Sequence, residues 1–154
     1  MKKVYYSWTE VNGAVIDIAR QLQKDNWKPD YVVGITRGGL IPAVLLSQYL
    51  GVPMETLKVQ LRDGGECESN LWMAEDALGC HAAPKNILII DDINDSGATI
   101  SWIKEDWPSG CYPKGTGWDL VWGGNVRFAT LTNNLSSREE VDYSVFEVNK
   151  AEED

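Results

Sequence analysis

Apolar residues return along the start of this chain every three or four positions, which is the period of one helix face. From Val11 to Leu22 they follow this spacing without a break. Ser7 and Glu10, placed just before, have the spacing of a capping box, in which each side chain bonds the backbone of the other. The pattern therefore predicts an amphipathic helix over residues 8–24.

Further along, short continuous apolar runs alternate with segments of helical period. Runs of four to eight mainly apolar residues are typical of strands buried on both faces. Strands that alternate with helices predict one α/β domain with a mainly parallel sheet flanked by helices. The predicted strands cover residues 31–36, 54–61, 86–90, 126–131 and 144–148, and the predicted helices that follow the first cover residues 40–50 and 98–107.

Two segments show neither a helical period nor a continuous apolar run. Residues 62–85 begin with a polar, glycine-bearing stretch, which predicts a mobile loop with a short turn near Trp72. Residues 108–125 are rich in Gly, Pro and Trp and predict an excursion packed by Trp118 and Trp122.

Composition narrows the class of protein. The chain has 154 residues, 44% of them hydrophobic, which is enough for one domain with a core. Its net charge of −9 disfavours nucleic acid and anionic membranes as partners. The polar start and the lack of a run of about 18 apolar residues argue against a signal peptide or a membrane span. Three irregularly spaced cysteines fit a reducing, cytoplasmic compartment.

The strongest chemical signal lies at the end of the strand predicted over residues 86–90. Asp91 and Asp92 follow its apolar run, Asp95 comes three residues later, and the small residues 96–99 precede a helix. Open backbone N–H groups and a helix start suit a phosphate, and paired carboxylates suit a divalent cation or a ribose. The alternative is an ordinary turn in which Asp serves as a cap.

A second glycine turn follows the strand over residues 31–36. This turn consists of Thr36, Arg37, Gly38 and Gly39. Arg37 supplies a cation, and the glycines leave backbone that a diphosphate can approach closely. Both turns lie at strand carboxyl ends, where parallel sheets bind ligands, so they can line one site.

These two turns resemble a known family. Residues 91–99 resemble the phosphoribosyl pyrophosphate (PRPP) signature of type I phosphoribosyltransferases, with Ser96 in place of the usual Thr. Residues 36–39 resemble the pyrophosphate loop of the xanthine–guanine branch, with Thr36 in place of Ser. The resemblance implies a type I phosphoribosyltransferase-like fold with a reduced C-terminal hood. It also implies transfer from PRPP to a nucleobase, by family kinship a 6-oxopurine, with Mg²⁺ as cofactor and a homodimer as the assembly.

The resemblance further implies roles for individual residues. Asp95 matches the position of a general acid/base at the purine N7 and lies within the PRPP site. The loop after Leu61 would close over the site, and Arg62 either reaches pyrophosphate or is a solvated surface residue. The implied PRPP-binding residues form three groups. The first is Thr36, Arg37, Gly38 and Gly39, with a cis peptide at Thr36–Arg37, and the second is Asp91 and Asp92, on the ribose or on Mg²⁺. The third is Asp95, Ser96, Gly97, Ala98 and Thr99, of which the last four bind the 5′-phosphate.

The base-recognition half departs from the family pattern. The 6-oxopurine enzymes carry a lysine after the fourth strand and a stacking aromatic beyond the last strand, and residues 128–134 and 149–154 hold neither. Thr130, Thr132 and Asn133 could bind a base, and the Trp-rich excursion is either a stacking face or packed core. Two alternatives to a purine transferase stay open: a PRPP-binding regulator with little transfer, and a transferase for a non-purine acceptor.

Overall fold

The computed structural model describes residues 6–61, 65–111 and 117–152. Within those residues the chain alternates strands and helices, as the apolar pattern predicts. The helices are α1 (Trp8–Lys24), α2 (Leu40–Leu50), α3 (Leu71–Leu78), α4 (Ala98–Gly110) and α5 (Trp118–Val121), and the strands are β1 (Tyr31–Thr36), β2 (Met54–Lys58), β3 (Ile87–Asn94), β4 (Val126–Asn134) and β5 (Tyr143–Val148).

The five strands form one parallel sheet in the order β2-β1-β3-β4-β5. The chain moves outward from β1 to β2 and then crosses back to build the rest of the sheet on the other side of β1. The strand order therefore reverses between β1 and β3, and ligands bind outside the carboxyl ends at such a point. The predicted fold, one parallel α/β domain, is confirmed.

Each face of the sheet is covered by a separate layer of helices. Helices α1 and α2 cover one face, where Ile18 and Leu46 pack with Leu88 of β3. Helices α3, α4 and α5 cover the other, where Met73 and Ile103 pack with the alternate residues of the same strands. Burial on both faces explains why the strands read as continuous apolar runs.

The predicted bounds of α1 are confirmed together with the capping box that set them. Ser7 Oγ accepts a hydrogen bond from the Glu10 backbone N–H at 3.1 Å, and Glu10 Oε1 accepts one from the Ser7 N–H at 3.0 Å. Gly51 ends α2 in the left-handed conformation, with φ of 70°, where glycine carries no steric penalty.

Several other bounds were predicted wrongly. Strands β3 and β4 run past their apolar residues because they pair in register as far as Asn94 with Asn133. Strand β2 ends at Lys58 instead of residue 61, and Val59 pairs antiparallel with Cys67. The short turn predicted near Trp72 is the eight-residue helix α3, which buries a face of small side chains and Met73.

The Trp-rich excursion is packed core. Trp107 and Trp118 are almost fully buried, and Trp122 stacks on Trp118 and on Phe128 with ring centroids 5.4 and 6.0 Å apart. The rings of Trp107 and Trp118 are therefore closed to a base, and these two residues serve as core. Helix α4 continues through Pro108 to Gly110, and residues 112–116 lie outside the described part. None of the described helices is long and apolar enough to cross a membrane.

Candidate active site

A cavity of about 420 Å³ opens at the carboxyl edge of the sheet, beside the point where the strand order reverses. Asp91, Asp95 and residues 96–99 line its polar part. Apolar side chains from β1, β3 and α4, among them Ile35 and Ile103, line the rest. The DD-x-x-D-S-G-A-T segment therefore faces an open space large enough for a small ligand.

The turn between β3 and α4 has the geometry of an anion site. Gly97 has φ of 90°, and a Cβ there would lie 2.8 Å from Ser137 Oγ, so only glycine fits. Ser96 Oγ accepts a hydrogen bond from the Ala98 N–H at 3.2 Å. Helix α4 begins at Ala98, and its N-terminal end favours a negative group. The turn can therefore hold a phosphate.

The glycine turn after β1 lies directly against the end of β3. A Cβ on Gly38 would lie 2.5–2.7 Å from the carboxyl atoms of Asp92. A Cβ on Gly39 would collide with the carbonyl oxygen of Ile90 and lie 2.8 Å from the Ile35 nitrogen. The structure therefore brings the two sequence motifs together, with Thr36 to Gly39 on the Asp92 side. The predicted cis peptide at Thr36–Arg37 is confirmed.

Asp91 and Asp92 are neighbouring carboxyls that each accept a backbone N–H at the end of β3. Asp91 Oδ1 accepts the backbone N–H of Asp92, and Asp92 Oδ1 accepts that of Ile93, both at 2.8 Å. Burial, and then the hydrogen bond and charge of the neighbouring Asp92, raise the pKa of Asp91 to about 8. Because burial disfavours the charged form of Asp91, a cation beside this carboxyl would be favourable.

The two carboxylates fit Mg²⁺ held jointly with a substrate. Within the described residues, no three His, Cys, Asp or Glu side chains cluster closely enough to hold a metal ion by themselves. Mg²⁺ characteristically takes one or two carboxylates and fills its other positions with water and substrate phosphates. Asp91 and Asp92 are the residues that would hold it.

Lys150, which sequence reasoning missed, contacts the cavity residue Asp95. Its Nζ lies 2.8 Å from Asp95 Oδ1, although the two residues are far apart in the chain. The lysine follows β5, where the sequence shows only a polar, mixed-charge end with no motif. Arg62, the cation that sequence reasoning considered for pyrophosphate, lies outside the described residues.

The three polar β4 residues proposed for base binding have different surroundings. Thr130 pairs in register with Asp91 and lines the cavity, and its Oγ1 has no hydrogen-bond partner among the described residues. Thr132 Oγ1 donates to the Tyr6 hydroxyl at 3.1 Å. Asn133 Oδ1 accepts from the Asn94 side chain at 2.9 Å. The Thr130 hydroxyl is therefore buried beside the cavity without a partner among the described residues.

Replacing Thr130 by Val should raise the free energy of unfolding by about 1 kcal/mol, because a buried hydroxyl without a partner costs stability. The matched variant Thr132→Val should lower it by about 1 kcal/mol, because it loses the bond to Tyr6. Urea unfolding of both variants measures the contrast. A loss of stability in Thr130→Val as large as in Thr132→Val would show that Thr130 is already satisfied.

Comparison with known proteins decides the family. A family model described as the phosphoribosyl transferase domain matches residues 3–154. The chain belongs to this family. A phosphoribosyltransferase domain is an enzymatic domain, and the membership confirms the family that the two motifs predict.

Named phosphoribosyltransferases are similar to this one along most of its length. The xanthine-guanine phosphoribosyltransferase of Cereibacter sphaeroides is 28% identical over 161 residues, covering 97% of this chain and 82% of that protein. The xanthine-guanine phosphoribosyltransferase of Idiomarina loihiensis is 27% identical over 126 residues, covering 78% of this chain and 76% of that protein. The crystal structure of purine phosphoribosyltransferase from Pyrococcus horikoshii Ot3 matches with a TM-score of 0.67 at 26% identity. The match covers 96% of this chain and 89% of that chain.

Proposed function

We propose that this phosphoribosyltransferase transfers the phosphoribosyl group of PRPP to a 6-oxopurine (guanine, xanthine or hypoxanthine), with Mg²⁺ and with release of pyrophosphate. The observation that carries the proposal is the joint placement of Asp91, Asp95 and the phosphate turn 96–99 on one cavity. Close contact between Gly38 and Asp92 adds the glycine turn after β1 to the same site. The names of the two bacterial relatives support the purine acceptor.

Each part of PRPP has a chemically suitable place. The N-terminus of α4 and residues 96–99 would bind the 5′-phosphate. Asp91 and Asp92 would bind the ribose hydroxyls or Mg²⁺, and the glycines and Arg37 would bind pyrophosphate. Mg²⁺, when bound, neutralises charge on pyrophosphate and makes it a better leaving group.

The transfer step breaks one bond at the sugar and forms another. A ring nitrogen of the purine forms a bond to C1 of PRPP, and the bond from C1 to the pyrophosphate oxygen breaks. Pyrophosphate leaves with the electron pair. The purine loses the proton on N7, and Asp95, one third exposed at the cavity, would accept it.

The test is pyrophosphate release from PRPP and Mg²⁺ in the presence of guanine, xanthine, hypoxanthine, adenine, uracil or orotate. Release with at least one 6-oxopurine and none with uracil or orotate is expected. Release with a pyrimidine alone would make the protein a transferase for another acceptor. No release with any base, together with PRPP binding by calorimetry, would make it a PRPP-binding regulator.

Replacing Asp92 by Asn should weaken PRPP binding about tenfold in the presence of Mg²⁺, because the pair loses one of its two charges. In the presence of EDTA the affinity for PRPP should change less than about twofold, which serves as the control within the same variant. Calorimetry under both conditions measures the difference. Equal affinities of Asp92→Asn and wild type with Mg²⁺ would contradict the proposed contact.

We also propose that the protein is a homodimer. Helix α2 is apolar on nearly all sides and leaves Ile41, Val44 and Tyr49 substantially exposed. Exposed apolar clusters of this kind are typical of surfaces that contact another protein. Light scattering in solution should therefore give twice the mass of the chain, and a monomer mass would contradict the proposal.

A further inference from the structure

The loop between β4 and β5 (residues 135–142) packs against the turn between β3 and α4. The Arg138 backbone N–H donates to the Ser96 carbonyl oxygen at 3.2 Å. The two segments also approach closely at Gly97, where a Cβ would lie 2.8 Å from Ser137 Oγ. This loop, all of which the structure describes, contributes no residue to the lining of the cavity. It therefore supports the turn from outside the space that a ligand would occupy.

A buried amide joins the end of β3 to this loop. Asn94, the last residue of β3, is only 3% exposed. Its Nδ2 donates to the Glu139 carbonyl oxygen at 2.8 Å and to Asn133 Oδ1 at 2.9 Å. Its Oδ1 accepts from Ser137 Oγ at 3.0 Å. Because the Glu139 carbonyl can only accept, it determines which way round the amide lies.

The Asn94 amide is engaged within the protein on all of its polar groups. Both N–H groups and the oxygen have partners in β4 or in the β4–β5 loop. The side chain therefore acts on a ligand through the backbone that follows it and not by contact. That backbone leads into residues 96–99, whose N–H groups hold an anion only if they point to one place. Buried hydrogen-bond networks rigidify the segments that they join.

We propose that Asn94 is a positioning residue, which fixes the turn between β3 and α4 on the β4–β5 loop so that the N–H groups of residues 96–99 converge on the 5′-phosphate of the substrate. The inference rests on the proposed function only in placing that phosphate at residues 96–99. It gives a role to one of the two x positions of the DD-x-x-D segment and to a loop that does not line the cavity. Changes in either should alter the affinity for a sugar phosphate that neither contacts.

The test measures binding, so that it does not depend on turnover. Calorimetry compares ribose 5-phosphate with pyrophosphate in the presence of Mg²⁺, on the wild type and on each variant. Asn94→Leu nearly keeps the size of the side chain and removes its hydrogen bonds. It should weaken binding of ribose 5-phosphate at least about tenfold, the cost of losing one hydrogen bond to a charged group. Pyrophosphate, assigned to the glycine turn after β1, should bind within about twofold of wild type.

Ser137→Ala is a milder change to the same network. It removes one of the three hydrogen bonds of Asn94 and leaves the amide in place. Binding of ribose 5-phosphate should weaken about threefold, the cost of one neutral hydrogen bond, while binding of pyrophosphate with Mg²⁺ stays at the wild-type value. If Asn94→Leu does not fold, unchanged binding of ribose 5-phosphate by Ser137→Ala overturns the proposal.

Asn125→Leu is the matched control, because it removes a similar amide that does not line the cavity. Asn125 Nδ2 donates to the carbonyl oxygens of Ala77 and Lys85 at 2.8 and 2.9 Å. The variant should lower the melting temperature and leave both affinities unchanged, so that a loss of stability alone does not give the expected result. Selective loss of ribose 5-phosphate in Asn125→Leu as well would contradict a specific role of Asn94.

The comparison of the two ligands separates positioning from a merely structural role. Equal weakening of ribose 5-phosphate and pyrophosphate by Asn94→Leu, or unchanged binding of ribose 5-phosphate, would overturn the proposal. So would a wild type that does not bind ribose 5-phosphate.

The positioning role and the proposed function fail separately. If the wild type releases no pyrophosphate with any base but Asn94→Leu selectively loses ribose 5-phosphate, the positioning role stands and transfer does not. If the wild type transfers to a base while Asn94→Leu binds ribose 5-phosphate normally, transfer stands and the role of Asn94 does not.

Discussion

Asp95→Asn is expected to lower kcat for pyrophosphate release by about 10²- to 10⁴-fold, the usual contribution of a positioned general base. The change removes the group proposed to accept the N7 proton and leaves the size of the side chain nearly unchanged. An amide oxygen can still accept from Lys150, so the turn should keep its place. The affinity for PRPP, measured by calorimetry, should therefore change less than about threefold.

The control for this variant is Asp119→Asn, which removes an exposed carboxylate on α5. It should leave both kcat and the affinity for PRPP at wild-type values. If Asp95→Asn lost turnover and PRPP affinity to the same extent, Asp95 would be a binding residue and not the proton acceptor.

Gly39→Ala is expected to lower the free energy of unfolding by about 3 kcal/mol or more, or to prevent folding. The new Cβ would meet backbone atoms of Ile35 and Ile90, which belong to the adjacent inner strands β1 and β3. Thermal and urea unfolding measure the loss. Wild-type stability in this variant would contradict the close approach of the turn to β3.

Gly38→Ala makes a useful contrast one residue away. Its Cβ would meet only the carboxyl group of Asp92, an exposed side chain that can rotate aside. We therefore expect a folded protein, within about 1 kcal/mol of wild type, whose affinity for PRPP with Mg²⁺ falls about tenfold. Gly13→Ala, with open space around the added methyl on α1, should instead raise stability by about 0.5–1 kcal/mol.

Local signals in the sequence predicted most of the secondary structure. The capping box at Ser7 and the glycine after Leu50 define helix ends through backbone hydrogen bonds within a few residues, so their bounds are confirmed. The apolar runs predicted the starts of β3 and β4 but not their ends. Polar residues at their carboxyl ends stay in the strands because each backbone is bonded by its neighbour.

Helix α3 shows why some elements escape this kind of prediction. Its eight residues offer barely two turns of periodicity, and Ala74 and Ala77 are weak apolar signals. They are buried because α4 and α5 pack against them. The helix is stabilised by tertiary contact more than by its own sequence.

The sequence by itself determined the fold class, the turn between β3 and α4 and the glycine turn after β1, because each depends on residues close together in the chain. The tertiary structure decided the strand order, and with it the meeting of Gly38 and Asp92 across the point of reversal between β1 and β3. It also decided that Lys150 lies on Asp95, through a buried Asn134 that bonds both segments. Contacts between residues so far apart depend on how the strands assemble, and no local spacing encodes them.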